Sequence, residues 1–179
     1  MVKIIIGVII AAVVVIAGFM ILEPKLNGSQ SIAPTVSSEA PNTLKVTIQG
    51  EIENEGAYTL DEGSTMLDLI TLAGGVTSNA DSRAYYEEFV VEKGMTYYIP
   101  GLYNSNDICN NEEIEKVNIN VDDAETLMTI NGISASVASS IVSYRQNDGF
   151  FETLEELLNV YGIGNATYRK VRDYVILHE

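Results

Sequence analysis

Apolar residues obey three different rules along this chain, and each rule implies a different kind of element. Residues 4–22 are apolar or glycine without a break. From Leu44 onward the period is two: Leu44, Val46 and Ile48 alternate with Lys45, Thr47 and Gln49, as in a half-buried strand. In the last third the period is helical, through Leu127, Ile130, Val137 and Ile141, then again through Leu157, Val160, Val171 and Val175.

The first rule predicts a membrane span. As a helix at ~1.5 Å per residue, residues 4–22 would reach roughly 28 Å, close to the ~30 Å of a bilayer's hydrocarbon core. The run is longer than the apolar region of a cleaved signal peptide, and Glu23-Pro24 after Leu22 makes a poor cleavage site. An uncleaved transmembrane signal anchor is expected, with Lys3 favouring a cytoplasmic N-terminus and the rest of the chain facing outward. Residues 23–42, with Gly28, Ser29, Ser31, Pro34, Ser37, Ser38 and Pro41, read as a flexible tether.

The second rule predicts a small α+β domain over residues 43–101. Gly50 to Gly56 is punctuated like a hairpin, and Ala57-Tyr58-Thr59-Leu60 reads as its returning strand. Ser64 or Thr65 can cap a helix running through Ala73, with Met66, Leu69, Ile70 and Ala73 on one face and Gly74-Gly75 ending it. Phe89-Val90-Val91 reads as a further strand and Met95 to Ile99 as a stronger one. Tyr85-Tyr86 and Tyr97-Tyr98 are assigned to packing and sheet contacts. Residues 102–115, rich in Asn and Glu, form an acidic linker before the last domain, residues 116–179.

That last domain repeats itself at a spacing of thirty. Glu125 falls on Glu155, Leu127 on Leu157, Ile130 on Val160, Gly132-Ile133 on Gly162-Ile163, and Tyr144 on Tyr174. Each copy reads as a short helix, a tight apolar-glycine turn and a second helix: an all-α, doubled helix-hairpin-helix. Glycine lets the chain reverse in few residues, and the helix that follows begins with N–H groups that lack an intrahelical acceptor. Such donors, at the positive end of a helix, can seat a phosphate oxygen. Two seats on one core would grip a nucleic-acid backbone without reading bases. The simpler possibility is that each turn only connects two helices.

Charge complicates that expectation. The chain carries a formal net charge of −15. Residues 43–101 hold ten acidic and three basic side chains, and residues 116–179 nine acidic and five basic ones. A DNA-binding surface is usually basic. Three of the five cations in the last domain, Arg169, Lys170 and Arg172, cluster after the second turn, with Arg169 and Arg172 spaced to share a helix face. Asp122, Asp123, Glu125, Glu152, Glu155 and Glu156 lie on the first helices and are expected on the opposite side. The single cysteine, Cys109, permits no internal disulfide, and the single histidine, His178, has no companions for a metal. No catalytic set, metal cluster or cofactor motif is present, so no enzyme activity, metal or cofactor is expected.

Two resemblances extend the reading. Gly50-Glu51-Ile52, Gly56-Ala57-Tyr58-Thr59-Leu60, Gly63-Ser64, Leu72-Ala73-Gly74-Gly75-Val76, Ala80-Asp81 and Gly94-Met95 resemble the soluble-ligand-binding β-grasp (SLBB) module, which implies ligand binding or self-association. Val117-Asn118-Ile119-Asn120, the two hairpins and Gly149-Phe150-Phe151 between them resemble the ComEA-like competence proteins. The order of anchor, tether, β-grasp module and paired hairpins is similar to the membrane-anchored form from Gram-positive bacteria. That resemblance implies a multidomain protein that binds double-stranded DNA without sequence preference and hands it to DNA-uptake machinery during transformation.

Carried onto this sequence, the contacting residues are Gly132, Ile133, Ser134 and Ser136 in the first hairpin, and Gly162, Ile163, Gly164, Asn165, Thr167, Arg169, Lys170 and Arg172 in the second. The family's first turn is usually Pro-Gly-Ile-Gly; here it is Asn131-Gly132-Ile133-Ser134, and the basic residue often found three positions further on is Val137. The second hairpin is therefore expected to dominate. The competing expectation is a cell-surface scaffold whose two domains bind protein or polysaccharide.

Overall fold

The computed structural model describes residues 42–104 and 112–179. The anchor and tether predicted for residues 4–42 lie outside the described residues except at Asn42, as does Cys109. Among the described residues, no helix is long and apolar enough to cross a membrane.

The alternating segment forms β1 (Thr43–Gly50), flanked by β2 (Gly56–Asp61) and β3 (Thr96–Ile99) in a mixed sheet of order β2-β1-β3. β1 and β2 are antiparallel, with Val46 opposite Tyr58, and β1 and β3 are parallel, with Ile48 opposite Tyr97. The helix α1 (Met66–Leu72) lays Met66, Leu69 and Ile70 on this sheet, in one core with Leu44, Val46, Ile48, Tyr97 and Ile99. Of the two candidate caps, Thr65 is the one used: its hydroxyl accepts from the Asp68 N–H, and the Asp68 carboxylate accepts from the Thr65 N–H at 2.8 Å. The chain leaves α1 through Gly74 and Gly75, both at positive φ.

Phe89-Val90-Val91 is not a strand. Its backbone serves the start of α1 instead: the Met66 N–H donates to the Phe89 carbonyl, the Val91 N–H donates to the Ser64 carbonyl, and Val90 makes a lone bridge with Thr65.

The C-terminal half has its own core, built from Ile119, Leu127, Ile130, Val137, Ile141, Phe151, Leu157, Val160, Val171 and Val175. The first motif is α2 (Ala124–Leu127) and α3 (Ala135–Asn147); the second is a 3-10 helix (Leu154–Asn159) and α4 (Asn165–Val171). The repeat fails at the end of its second copy. α4 stops at Val171, a 3-10 turn covers Arg172–Tyr174, and Val175 lies in a short strand, β5 (Val175–Ile176), rather than on the helix. β5 pairs in parallel with β4 (Val117–Asn118), a partner more than fifty positions away that local periodicity does not reveal.

Asn118 and Asn120 explain the polar letters of the Val-Asn-Ile-Asn segment. Asn120 is buried; its amide group donates to the carbonyls of Phe151 (2.9 Å) and Leu177 (3.0 Å), and its oxygen accepts from the Phe151 N–H at 2.8 Å. One side chain thus ties the entry strand, the loop between the motifs and the C-terminus together. The Asn118 oxygen accepts from the Asn120 N–H at 2.9 Å and fixes that side chain's approach.

The two halves are packed against each other. The side chains of Lys116 and Asp81, each only 1% exposed, form an ion pair at 2.7 Å, and Arg83 grips the same carboxylate through two hydrogen bonds of 2.9 Å. Burial would raise the Asp81 pKa, but the hydrogen bonds from Arg83 and Lys116 outweigh it and hold the group down to about 2. The Leu177 N–H donates to the Arg83 carbonyl, and the His178 ring lies 4.7 Å from that of Tyr86.

Candidate nucleic-acid interface

Each hairpin turns on one glycine in the left-handed region, Gly132 at φ 112° and Gly162 at φ 93°. A side chain there would be strained. The residue after each glycine is buried: Ile133 and Ile163 point into the core. Their N–H groups close the turns onto the Ile130 and Val160 carbonyls at 3.1 and 3.0 Å. These two expected contact residues therefore offer no free donor, whereas the N–H groups of Gly132 and Gly162 have no backbone acceptor among the described residues.

The two turns sit on each other's helices. A methyl group on Gly132 would stand 3.5 Å from Val171 Cγ1 and 3.9 Å from Lys170 Cβ, both on α4; one on Gly162 would stand 3.1 Å from Val137 Cγ2 on α3. The first turn, which has Val137 in place of a basic residue, thus has Lys170 of the second motif beside it. Arg169 and Lys170 are exposed and form no ion pair among the described residues.

In the first hairpin the N–H groups of Ser134, Ala135 and Ser136 have no acceptor among the described residues, while Ser134 Oγ accepts from the Val137 N–H at 3.4 Å and lies 3.0 Å from Ser136 Oγ. In the second, Gly164 begins α4 with no side-chain cap, leaving the N–H groups of Gly164, Asn165, Ala166 and Thr167 without an acceptor among the described residues. Gly132, Ser134, Ser136, Gly162, Gly164 and Asn165 are all exposed and Thr167 is half-buried.

Arg172 is placed elsewhere. Its guanidinium lies 3.4 Å from the centre of the Tyr98 ring, between the two halves of the molecule. The Tyr98 hydroxyl donates to Asp173 at 2.7 Å. Glu155, 5% exposed, accepts from the Tyr98 N–H at 2.8 Å and from the Tyr168 hydroxyl at 2.7 Å. Burial pushes the Glu155 carboxyl up to about 7, against the pull of those two donors and of Arg172. Sequence reasoning missed this seam because it joins Tyr98 to residues more than fifty positions away.

Several of the acidic residues of the first helices are engaged within the protein. Asp122 accepts from the Asn118 N–H, Asp123 caps α2 through the Thr126 N–H, and Glu155 is buried as described.

A β-grasp sheet followed by two glycine-turned hairpins on one core defines an SLBB–helix-hairpin-helix protein. Residues 45–99 match the SLBB domain and residues 112–176 the helix-hairpin-helix motif. The chain is 26% identical over 148 residues to ComE operon protein 1 of Bacillus subtilis, covering 78% of this chain and 72% of that protein. Domain order and this similarity together make it a ComEA-like protein. It is also 44% identical over 63 residues to an uncharacterized protein of Haemophilus influenzae, covering 35% of this chain and 56% of that one. A third relative, the human endonuclease/exonuclease/phosphatase family domain-containing protein 1, is 41% identical over 58 residues, 32% of this chain and only 10% of that protein.

Proposed function

We propose that this chain is a binding protein, not an enzyme, that holds double-stranded DNA by its backbone for uptake. The phosphates would be received by the amides at Ser134 to Ser136 and Gly164 to Thr167, with Arg169 and Lys170 supplying charge. The observation that carries this reading is the reciprocal seating of the two turns, which places both sets of unpaired amides on one core with Lys170 beside the first turn. Amides and two cations see phosphate and sugar rather than base edges, so little sequence preference follows. The similarity to ComE operon protein 1 supports a place in competence.

The test is a salt titration of the full chain with two duplexes of unrelated sequence. Equal affinities that fall steeply with salt, and loss of about 100-fold on combining Arg169→Glu with Lys170→Glu, are expected. Unchanged binding by the double variant would remove this surface from consideration.

We further propose that residues 4–22 anchor the chain, with residues 43–179 extracytoplasmic. Deleting residues 4–22 should release the protein from membranes washed in alkaline carbonate. Self-association through the β-grasp domain, which the resemblance implies, would appear as a concentration-dependent sedimentation coefficient of the full chain. Hand-over to uptake machinery would appear as loss of transformation in cells carrying the double variant.

A further inference from the structure

A cavity of roughly 760 Å³, with neither hairpin turn in its lining, lies between the loop following Tyr86 and the loop that joins the two motifs. Its apolar lining includes Phe89 and Phe151, and Tyr86, Val90 and Phe150 are exposed at it, Phe150 by 70%. Apolar side chains gathered in this way at a concave site mark a binding surface more often than a bare one. The remaining chemistry is of one sign: Glu88 and Glu92 come from the β-grasp half, Glu152 comes from the hairpin half, and no lining side chain is basic. Glu156, whose carboxylate accepts from the Glu152 N–H at 3.2 Å, has its pKa raised mainly by burial; that hydrogen bond pulls it down, and repulsion from Glu152 and Glu92 adds to the rise.

We propose that this cavity receives a basic peptide segment of a partner protein, an aromatic or aliphatic side chain entering against Phe89 and Phe150 while flanking Lys or Arg side chains meet Glu88, Glu92 and Glu152. Charge complementarity selects this occupant. A duplex or an acidic polymer is repelled by three carboxylates, and a purely apolar occupant would leave them crowded. Because the site is formed by two loops from different halves, it exists only when those halves are packed, and it leaves the Gly132 and Gly162 turns free.

The chain contains no tryptophan, so Phe150→Trp in the full chain supplies a single reporter. The probes are acetyl-Lys-Phe-Lys-Leu-amide and its counterparts with Gln or Glu in place of Lys. A saturable change in emission with the Lys peptide, at least about tenfold weaker with the Gln peptide and absent with the Glu peptide, is expected. Combining Glu92→Gln with Glu152→Gln should weaken Lys-peptide binding about tenfold, whereas Glu53→Gln with Glu62→Gln, exposed acids outside the cavity lining, should not. Isothermal titration with Phe150 intact checks that the reporter has not created the site. Equal binding of Lys and Gln peptides, equal effects of the two double variants, or no binding of any probe would overturn the proposal.

Discussion

The two hairpin motifs share a sequence pattern but solve the start of their second helix differently. In the first, Ser134 bends its own hydroxyl to the Val137 N–H, so part of the space a phosphate oxygen would occupy is already filled from within. In the second, Gly164 has no side chain, and the equivalent Thr167 N–H awaits an outside acceptor. The same split runs through their first helices. Glu125 is exposed, whereas its repeat partner Glu155 is buried against Tyr98 and Tyr168. One copy satisfies one of its helix-start donors from within, and the other, braced on the β-grasp domain through Glu155, leaves the equivalent donor unpaired among the described residues. Repeated sequence therefore does not mean repeated duty; what each copy packs against decides which of its groups remain available.

The sharpest way to break the comparison is to loosen the frame both copies share. Asn120→Ala leaves one buried N–H and two buried carbonyls without the partner that held them, and should cost about 3 kcal/mol in urea unfolding. DNA affinity should fall with it, since neither turn alone supplies both amide sets. Retained affinity in a destabilised protein would show that the motifs act separately.

Next in size is the pair of turn glycines. Gly162→Ala combines left-handed strain with a 3.1 Å approach to Val137, while Gly132→Ala meets nothing nearer than 3.5 Å. Thermal unfolding should show Gly162→Ala the more damaging, by about 1 kcal/mol beyond the ~1–2 kcal/mol of backbone strain common to both. Equal costs would mean that the two seats are equally roomy.

Smaller, and more telling, is Gly164→Ser. Gly164 has φ −104° and ψ 175°, extended backbone open to any residue. Serine there should cap α4 as Ser134 caps α3, raising stability by about 0.5 kcal/mol while weakening DNA binding a few-fold. Ser134→Gly should do the reverse. Movement of stability and affinity in the same direction would contradict the idea that cap and phosphate compete for the same donors.

The least effect is a slope. Glu155 is protonated up to about pH 7 in the folded state but only to its ordinary value of 4.5 when unfolded. Between those values the native state holds the extra proton, so stability should decline as pH rises through that window and level off above it. Glu155→Gln keeps an oxygen for Tyr98 and Tyr168 and should flatten that part of the profile.

Much of the hairpin and β-grasp geometry could be read from letters alone, because its parts are local. A glycine followed by an isoleucine, with helical spacing on either side, announces each turn, and Thr65, Gly74 and the alternation at Leu44 announce the β-grasp elements. What escaped was long-range. Arg169 and Arg172 look like one helical face, but α4 ends at Val171, and Arg172 turns onto Tyr98 instead. Val175 fits the helical period equally well as a strand residue facing Val117. The buried position of Glu155 has no sequence signal, since a carboxylate in a first turn is ordinarily solvated. Phe89 to Val91 carries strand-forming residues, yet its amides and carbonyls are taken by the start of α1.

The acidic stretch between the halves begins and ends in one place. The Ile114 N–H donates to the Leu102 carbonyl at 2.8 Å, Tyr103 bridges Glu113, and Lys116 is sealed against Asp81. Such a closed neck fixes where the chain leaves one half and enters the other, so that strain on either half passes to the other through Leu102, Tyr103, Ile114 and Lys116.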